Sequence, residues 1–425
     1  MNPERLKILF VSQLPSSPPR FGAQARMHGL MTSLARRHDL TAVSLVDESF
    51  DREDCRKAME RYCREVVLVP NPRGRIGMSK RMLQLRSLAS VHSFEHHRYS
   101  VPALQRTLDE VQRRTRFDLV NVEFPYLARL RLRQAPPGSP PPPLIIDAHE
   151  IAYDMVRQFA RRRGGVGRSV YGELNWRKLR REELAAFRGA DGVYTCSSED
   201  RDRVLAEVPT VSTAVVPNAA DVEYYRARPG DPAPDGRTVL FFGLLSTVPN
   251  VDGASWFVRE MWPRITARRP DARLQILGKD PTPAVRALAA PGVEVIGFVE
   301  DLRPHLAQAA VIVVPLRLGG GTRLKIVEAM AMGKAIISTT LGAEGIEATA
   351  GRDLLVADEP EGFVRAVVRV LEEPALGAEL GAAARKLAVQ RYAWSSAAAE
   401  LERFLRAVIA RRTSERRPMR PEEGQ

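Results

Sequence analysis

Pro315–Ile346 reads PLRLGGGTRLKIVEAMAMGKAIISTTLGAEGI, and the order of residue types in it decides the fold. Gly319, Gly320 and Gly321 take backbone angles closed to other residues and let a phosphate approach the main chain. Thr322 is then placed to cap a helix that begins at about Arg323. The free N–H groups and partial positive charge of such a terminus suit an anion. Arg323 and Lys325 stand in the same first turn, where a cation opposes the helix dipole. As bare surface charges they would be better placed elsewhere, so a diphosphate is the reading that accounts for them. Ile326, Met330 and the small Ala329 and Ala331 give the helix a face for a sheet. Gly333 stands where a C-terminal cap is expected, and Ala335–Ser338 reads as the next strand. Glu328 is the odd residue, a carboxylate on a mostly apolar helix.

Outward from this stretch, short β-branched runs alternate with longer helical patterns, the signature of parallel sheets with crossover helices. Strands are expected at Lys7–Ser12, Leu40–Leu45, Val66–Val69, Leu119–Val122, Leu144–Asp147, Gly192–Cys196 and Ala214–Pro217. The cycle restarts with Val239–Phe242, Leu274–Leu277, Val293–Ile296, Val311–Val314, Ala335–Ser338 and Leu354–Val356. The fold class is therefore α/β with two doubly wound sheets. Ala227–Gly236, rich in Pro and Gly, reads as the linker between them, whereas Pro136–Pro143 runs straight into a strand and reads as a surface loop. A last helix is expected at 392–410, and the Arg411–Gln425 tail reads as disordered.

The Gly319–Gly333 region resembles the C-terminal half of the retaining nucleotide-sugar glycosyltransferases of family four. That family has the GT-B fold, two Rossmann-like domains facing across a cleft. Its Glu-x7-Glu motif ends in a glutamate followed by a small, apolar stretch and a glycine, matched here by Glu328-Ala329-Met330-Ala331-Met332-Gly333. The resemblance implies that Glu328 holds the ribose hydroxyls of a nucleotide-sugar donor. Eight residues earlier the chain has Gly320 instead of the first glutamate, and in this it is similar to a subset with a G-G-G-T-R-x-K loop. Implied domains are an acceptor-side 1–225, a donor-binding 226–391, and a helix at 392–410 that crosses back to the first.

In open parallel sheets ligands sit beyond the carboxyl ends of the strands, and the resemblance places further residues there. Gly22 follows the first strand where family members often have two adjacent glycines near the donor phosphates. A turn glycine without a ligand reads equally well. His149 ends the strand Leu144–Asp147 and, by resemblance, contacts the donor sugar's hydroxyls; the bland alternative is a histidine satisfied by backbone. Glu123 ends the strand before it, facing the acceptor or standing as an exposed rim carboxylate. Gly243 opens the first loop of the second half, where the family has an arginine and a lysine for the diphosphate and this chain has Leu244 and Asn250. Arg323 and Lys325 are the nearest replacements. Asn218 and Asp221, in a Pro-Asn-Gly-x-Asp-like segment with Ala219 for glycine, close a turn through side-chain to backbone bonds. Gly342–Gly345 borders the donor sugar or is an ordinary loop.

The composition fits such an enzyme. The 425 residues suffice for two or three domains, and 44% hydrophobic content is ordinary for a globular chain. No stretch approaches the roughly 18 apolar residues of a membrane span. Cys55, Cys63 and Cys196 are odd in number and lack a CxxC or His-rich context, so a reduced, cytoplasmic compartment is expected, without a zinc site. No Asp-x-Asp stands at a strand end, and neither a metal nor a cofactor beyond the nucleotide-sugar substrate is expected.

The net charge of +13 is uneven: residues 1–205 hold 36 Lys and Arg against 24 Asp and Glu, the remainder 28 against 27. The excess concentrates between Arg157 and Arg181, at Arg157, Arg161, Arg162, Arg163, Arg168, Arg177, Lys178, Arg180 and Arg181. Phe159, Val170, Tyr171, Leu174, Trp176 and Leu179 are interleaved with these cations. Nucleic acid and anionic lipid both fit such a stretch, as does a plainly solvated helix face. An acceptor domain that meets a membrane, as the resemblance implies, favours lipid at the inner face of the cell membrane, with a lipid-linked saccharide or glycan as acceptor and no nucleic acid. The expected activity is transfer of a sugar to an acceptor hydroxyl in cell-surface polysaccharide or glycolipid synthesis. A nucleotide-sugar 2-epimerase of the same fold and a silent sugar-nucleotide binding module remain open as alternatives.

Overall fold

The computed structural model describes residues 4–74, 78–162 and 166–415. Contacts divide the chain into two units, Met1–Val216 with Ala398–Gln425, and Pro217–Ala397. The first holds β1 (Lys7–Ser12), β2 (Asp39–Val46), β3 (Glu65–Pro70), β4 (Leu119–Glu123), β5 (Leu144–Ala148), β6 (Gly192–Thr195) and β7 (Ser212–Val215). They form one sheet in the order β3-β2-β1-β4-β5-β6-β7, with every pairing parallel. Successive residues Ile8, Leu9, Phe10 and Val11 are all buried, as a strand covered by helices on both faces requires.

The second unit holds β8 (Thr238–Phe242), β9 (Arg273–Leu277), β10 (Val293–Gly297), β11 (Val311–Val314), β12 (Ile336–Ser338) and β13 (Leu355–Val356), ordered β10-β9-β8-β11-β12-β13 and again parallel. Alternate residues of β8 serve opposite layers. Val239 and Phe241 join Phe257, Met261 and Phe363 on one side. Leu240 and Phe242 join Met330, Ala384 and Tyr392 on the other. In each unit the chain runs outward for three strands and returns to pair its fourth with its first. This leaves a switch point between β1 and β4 and another between β8 and β11, where strand-end loops diverge and a ligand finds room.

Three expectations are corrected. By contacts the chain passes into the second unit at Pro217, not after residue 225. Ala227–Gly236 is a loop of that unit, tied in where the Asp235 N–H donates to the Gln308 carbonyl at 3.1 Å. Pro and Gly content marks a loop, and contacts decide to which unit it belongs. The tail is ordered further than composition suggested. A helix runs Trp394–Glu415, so 411–415 are helical, and 416–425 lie outside the described residues. Within that helix Phe404 packs on Gly192 and edge-on to Tyr194 in the first unit. Finally, the helix after the triple glycine is Leu324–Ala331, with Arg323 and not Thr322 at its N-cap. Arg323 keeps an extended backbone at φ −85° and ψ 103°, so the helix cannot begin there.

Candidate functional site

In the second unit the loops leaving β8 and β11 carry the glycines. Gly243 has φ +149°, Gly319 +112° and Gly321 +69°, while Gly320 between the last two does not need a positive φ. A Cβ on Gly243 would meet Lys325 Nζ at 2.8 Å and Asn250 Nδ2 at 2.9 Å, so the missing side chain is the room those two use. Lys325 reaches this spot from the first turn of the Leu324–Ala331 helix and donates to Asn250 Oδ1 at 2.7 Å. Asn250 Nδ2 in turn donates to the Leu244 carbonyl at 2.9 Å, which fixes the amide with its oxygen toward the lysine. Burial and the charge of Arg323 bring the Lys325 ammonium down to about pKa 7 against the pull of Glu328. The positions where the resemblance leads to cations, Leu244 and Asn250, are neutral, and an ammonium arrives at the same loop from another element.

Arg323 turns its guanidinium back onto the Gly320 carbonyl. The N-terminus of the helix has no side-chain cap. Thr322 is buried, and its carbonyl accepts from Asn218 Nδ2 at 3.0 Å. Asn218 thus braces the glycine loop across 104 residues of sequence. The expected Asx turn is made at Asp221, whose Oδ1 accepts from the N–H groups of Glu223 and Tyr224. Glu328 is hydrogen-bonded to the Tyr225 hydroxyl, and burial lifts its carboxyl to about pKa 7 while Tyr225 and Lys325 pull it down. Arg385 ties this end together, donating to the carbonyls of Val222 and Tyr225 at 2.8 Å each and to that of Ala331. Gly333, at φ +69°, closes the helix as expected. Its N–H donates to Met330 and that of Lys334 to Ala329, the paired bonds of a Schellman cap. Gly342 packs tightly on Ser338 and Thr339, with its N–H on Thr339 Oγ1 at 2.9 Å.

The first unit gathers its polar groups at the ends of β4 and β5. His149 Nε2 lies 2.7 Å from Glu123 Oε2 and 3.4 Å from Asp147 Oδ2. Asn121 Nδ2 donates to Glu123 Oε1 at 2.8 Å. Glu123 is 1% exposed, which removes the rim-carboxylate reading, and each of its oxygens has a partner. Burial first, then the charge of Asp147, push its carboxyl above the ordinary range. Arg26 donates to both oxygens of Asp147, at 2.8 and 3.0 Å, and to the Val216 carbonyl at 2.9 Å. Two carboxylates and an imidazole within 4.8 Å of one another have the composition of a metal site, but here the positive charge among them is a guanidinium. The Phe124 ring stacks on His149 at 4.0 Å, and its φ of +68° is a strained angle that holds it there. Gly22 is exposed and opens the helix Gly22–Ala35, whose N-cap Phe21 supplies no side-chain bond.

Sequence reasoning missed Arg26 and Tyr225. A signal existed for Arg26, since a cation inside the apolar run of its helix demands a buried partner. Tyr225 gave none, because its partner Glu328 is brought up only by folding. The basic stretch is reassigned in large part. Arg157 lies over the Trp176 ring, Lys178 donates to the Ser87 carbonyl and Arg180 pairs with Glu207. The side chains of Phe159, Arg161, Arg162, Arg163 and Arg168 lie outside the described residues. Among the described residues no helix is long and apolar enough to cross a membrane, and all three cysteines are free and buried.

Residues 22–224 match the family model "Glycosyltransferase Family 4", and residues 236–373 match "Glycosyl transferases group 1". Phosphatidyl-myo-inositol mannosyltransferase of Mycolicibacterium smegmatis is 31% identical over 204 residues, covering 45% of this chain and 51% of that protein. The chain thus spans about half the length of the curated relatives it matches at 30% identity or more. Sucrose-phosphate synthase of Thermosynechococcus elongatus superposes with a TM-score of 0.69 at 16% identity, over 96% of this chain and 100% of the other. Anabaena HepE in complex with UDP-glucose gives 0.62 at 16% identity, over 95% and 100%. At these identities the likeness is one of fold, the GT-B arrangement of two parallel Rossmann-like sheets.

Proposed function

We propose that this GT-B glycosyltransferase, with a family 4 match in its first half and a group 1 match in its second, moves a sugar from a nucleoside-diphosphate donor to a hydroxyl of a lipid-linked or glycan acceptor. The observation that carries the reading is Lys325, whose ammonium sits between Gly243 and Asn250 at the β8–β11 switch point. In that reading the diphosphate lies on the uncapped helix N-terminus, against the glycine loop, with Lys325 and Arg323 stabilising the charge that develops as the sugar leaves. Glu328, already turned to the Tyr225 hydroxyl, takes the ribose hydroxyls. A nucleotide sugar is the ligand named for the HepE structure, which supports this choice of donor class.

His149 is read as the contact to the sugar hydroxyls. Glu123 holds its Nε2, so Nδ1 is the nitrogen left to meet them, and Glu123 is a positioning residue. Side-chain cations on the diphosphate make the transfer metal-independent in this reading, and no cofactor is needed. Retention of configuration rests on the resemblance of Gly319–Gly333 alone. The lipid-linked acceptor is supported by the name of the mycobacterial relative and by the basic surface of the first unit. Such an acceptor places the enzyme at the cytoplasmic face of a membrane, in keeping with its free thiols.

The test is a thermal-shift screen over nucleotide sugars, followed by transfer from the best binder into a membrane extract with and without chelator. Product with an anomeric configuration matching the donor supports the whole reading. Donor binding without transfer or hydrolysis across acceptors would instead make the chain a silent binding module.

A further inference from the structure

Ten large apolar side chains are exposed among the described residues, and six of them, Met82, Leu85, Leu88, Val91, Val170 and Leu174, belong to one region of the first unit. They lie on the helix Met78–Leu88, the turn after it, and the helix Val166–Gly189. The two helices are neighbours. The Ser87 and Tyr171 hydroxyls are 3.1 Å apart, Lys178 Nζ donates to the Ser87 carbonyl at 2.6 Å, and Arg181 donates to the Val91 carbonyl at 2.5 Å. On the longer helix the exposed side chains Val170, Leu174, Arg177 and Arg181 follow intervals of four, three and four, which is a single face. That face is apolar toward its start and cationic toward its end. On the shorter helix exposed Lys80, Arg81 and Arg86 flank Met82 and Leu85, and residues 66–94 contain no Asp or Glu.

Scattered exposed apolar residues need no explanation, whereas six gathered on adjoining helices do. We propose that this two-helix face seats the first unit on an anionic lipid surface. Met82, Leu85, Val91, Val170 and Leu174 enter the boundary between headgroups and acyl chains, and Lys80, Arg81, Arg86 and Arg177 meet the phosphates. The inference rests on the membrane reading above and moves its centre. Arg157, Lys178, Arg180 and Arg181 are spent on internal contacts, and the shorter helix, which carries no part of the basic stretch, supplies three of the six apolar side chains. Charge selects the occupant. A second copy docking through the same face would bring like cations together, and nucleic acid would leave the apolar side chains in water. An anionic bilayer satisfies both components at once.

The experiment is flotation of the full chain with phosphatidylcholine vesicles, with and without phosphatidylglycerol, at low and high salt. Nucleotide-sugar binding is followed in parallel as a measure of the second unit. Wild type should bind the anionic vesicles and keep part of that binding at high salt. Leu85→Ser with Val170→Ser should lower vesicle affinity on the order of tenfold or more and abolish the salt-resistant part. Arg86→Gln with Arg177→Gln should remove mainly the salt-sensitive part. Nucleotide-sugar binding should be unchanged throughout. Wild-type vesicle binding by the serine variant would overturn this face while leaving lipid docking through other cations. Wild type that binds nucleotide sugar but no vesicle would overturn both. A dimer in light scattering that the serine substitutions convert to monomer would assign the face to a second copy instead. Vesicle binding without any nucleotide-sugar binding would spare this face and sink the donor reading.

Discussion

Binding of a nucleotide sugar should carry a proton into the second unit. Lys325 titrates at about pKa 7 in the free protein because burial and Arg323 disfavour its charge. A diphosphate beside it favours the charge and returns the ammonium to the ordinary lysine range. At pH 7.5 about one quarter of free Lys325 is protonated and essentially all of it is once bound, so binding takes up roughly 0.75 proton; at pH 6 the uptake falls to about 0.1. The sign is fixed by the cation. Affinity is level below pH 7 and falls by up to about tenfold per unit above it, until the pKa of the complex is reached. Calorimetry in buffers of different ionisation enthalpy measures the uptake directly. The titrant is the nucleotide sugar with the largest thermal shift, whose diphosphate diester has no group titrating near neutrality. Glu328, also at about pKa 7, is separated by Glu328→Gln, which should keep the uptake. Lys325→Arg, always charged, should bind without it. An enthalpy independent of buffer at pH 7.5, or full uptake in Lys325→Arg, would refute the placement of the ammonium on the diphosphate.

Arg323→Ala should weaken nucleoside-diphosphate binding roughly ten- to a hundredfold, the worth of one charge-assisted contact, and unchanged affinity in calorimetry with the fold intact removes the role. His149→Ala should lower turnover on the order of 10²-fold with little change in nucleoside-diphosphate affinity. Glu123→Gln should shift the pH dependence of turnover and lose less activity than Glu123→Ala, since the amide still orients the imidazole; a flat, unshifted profile in both would make Glu123 structural only. Arg26→Met leaves the Asp147 carboxylate buried without its guanidinium and should cost about 3–5 kcal/mol in urea unfolding, part of it recovered when Asp147→Leu is added; a loss under 1 kcal/mol would contradict the pairing. Gly333→Ala, forced to φ +69°, should cost about 1 kcal/mol without touching donor affinity.

The alternation of β-branched runs with helical patterns determined the strands from the sequence alone, and all thirteen appear close to where they are expected. β1 and β11 run between the same residues, and β7, an edge strand with only half-buried side chains, begins two residues before its expected start. Strand identity is local, because a fully buried parallel strand has to be a short, continuously apolar segment. The glycine loop and the helix terminus at Gly319–Lys325 were legible for the same reason, since glycine conformations and a helix terminus are properties of a few consecutive residues. Partnerships were not. No spacing rule links Lys325 to Asn250, Glu328 to Tyr225, Asn218 to Thr322 or Arg26 to Asp147, as each pair is joined across 75 or more residues. Sheet order makes those neighbours, and burial then sets their chemistry: a lysine near neutrality, a glutamate raised to meet it and a histidine held by a buried carboxylate. The basic stretch shows the same division. Sequence counted its charges, and tertiary packing decided which of them the protein keeps for itself and which it leaves exposed.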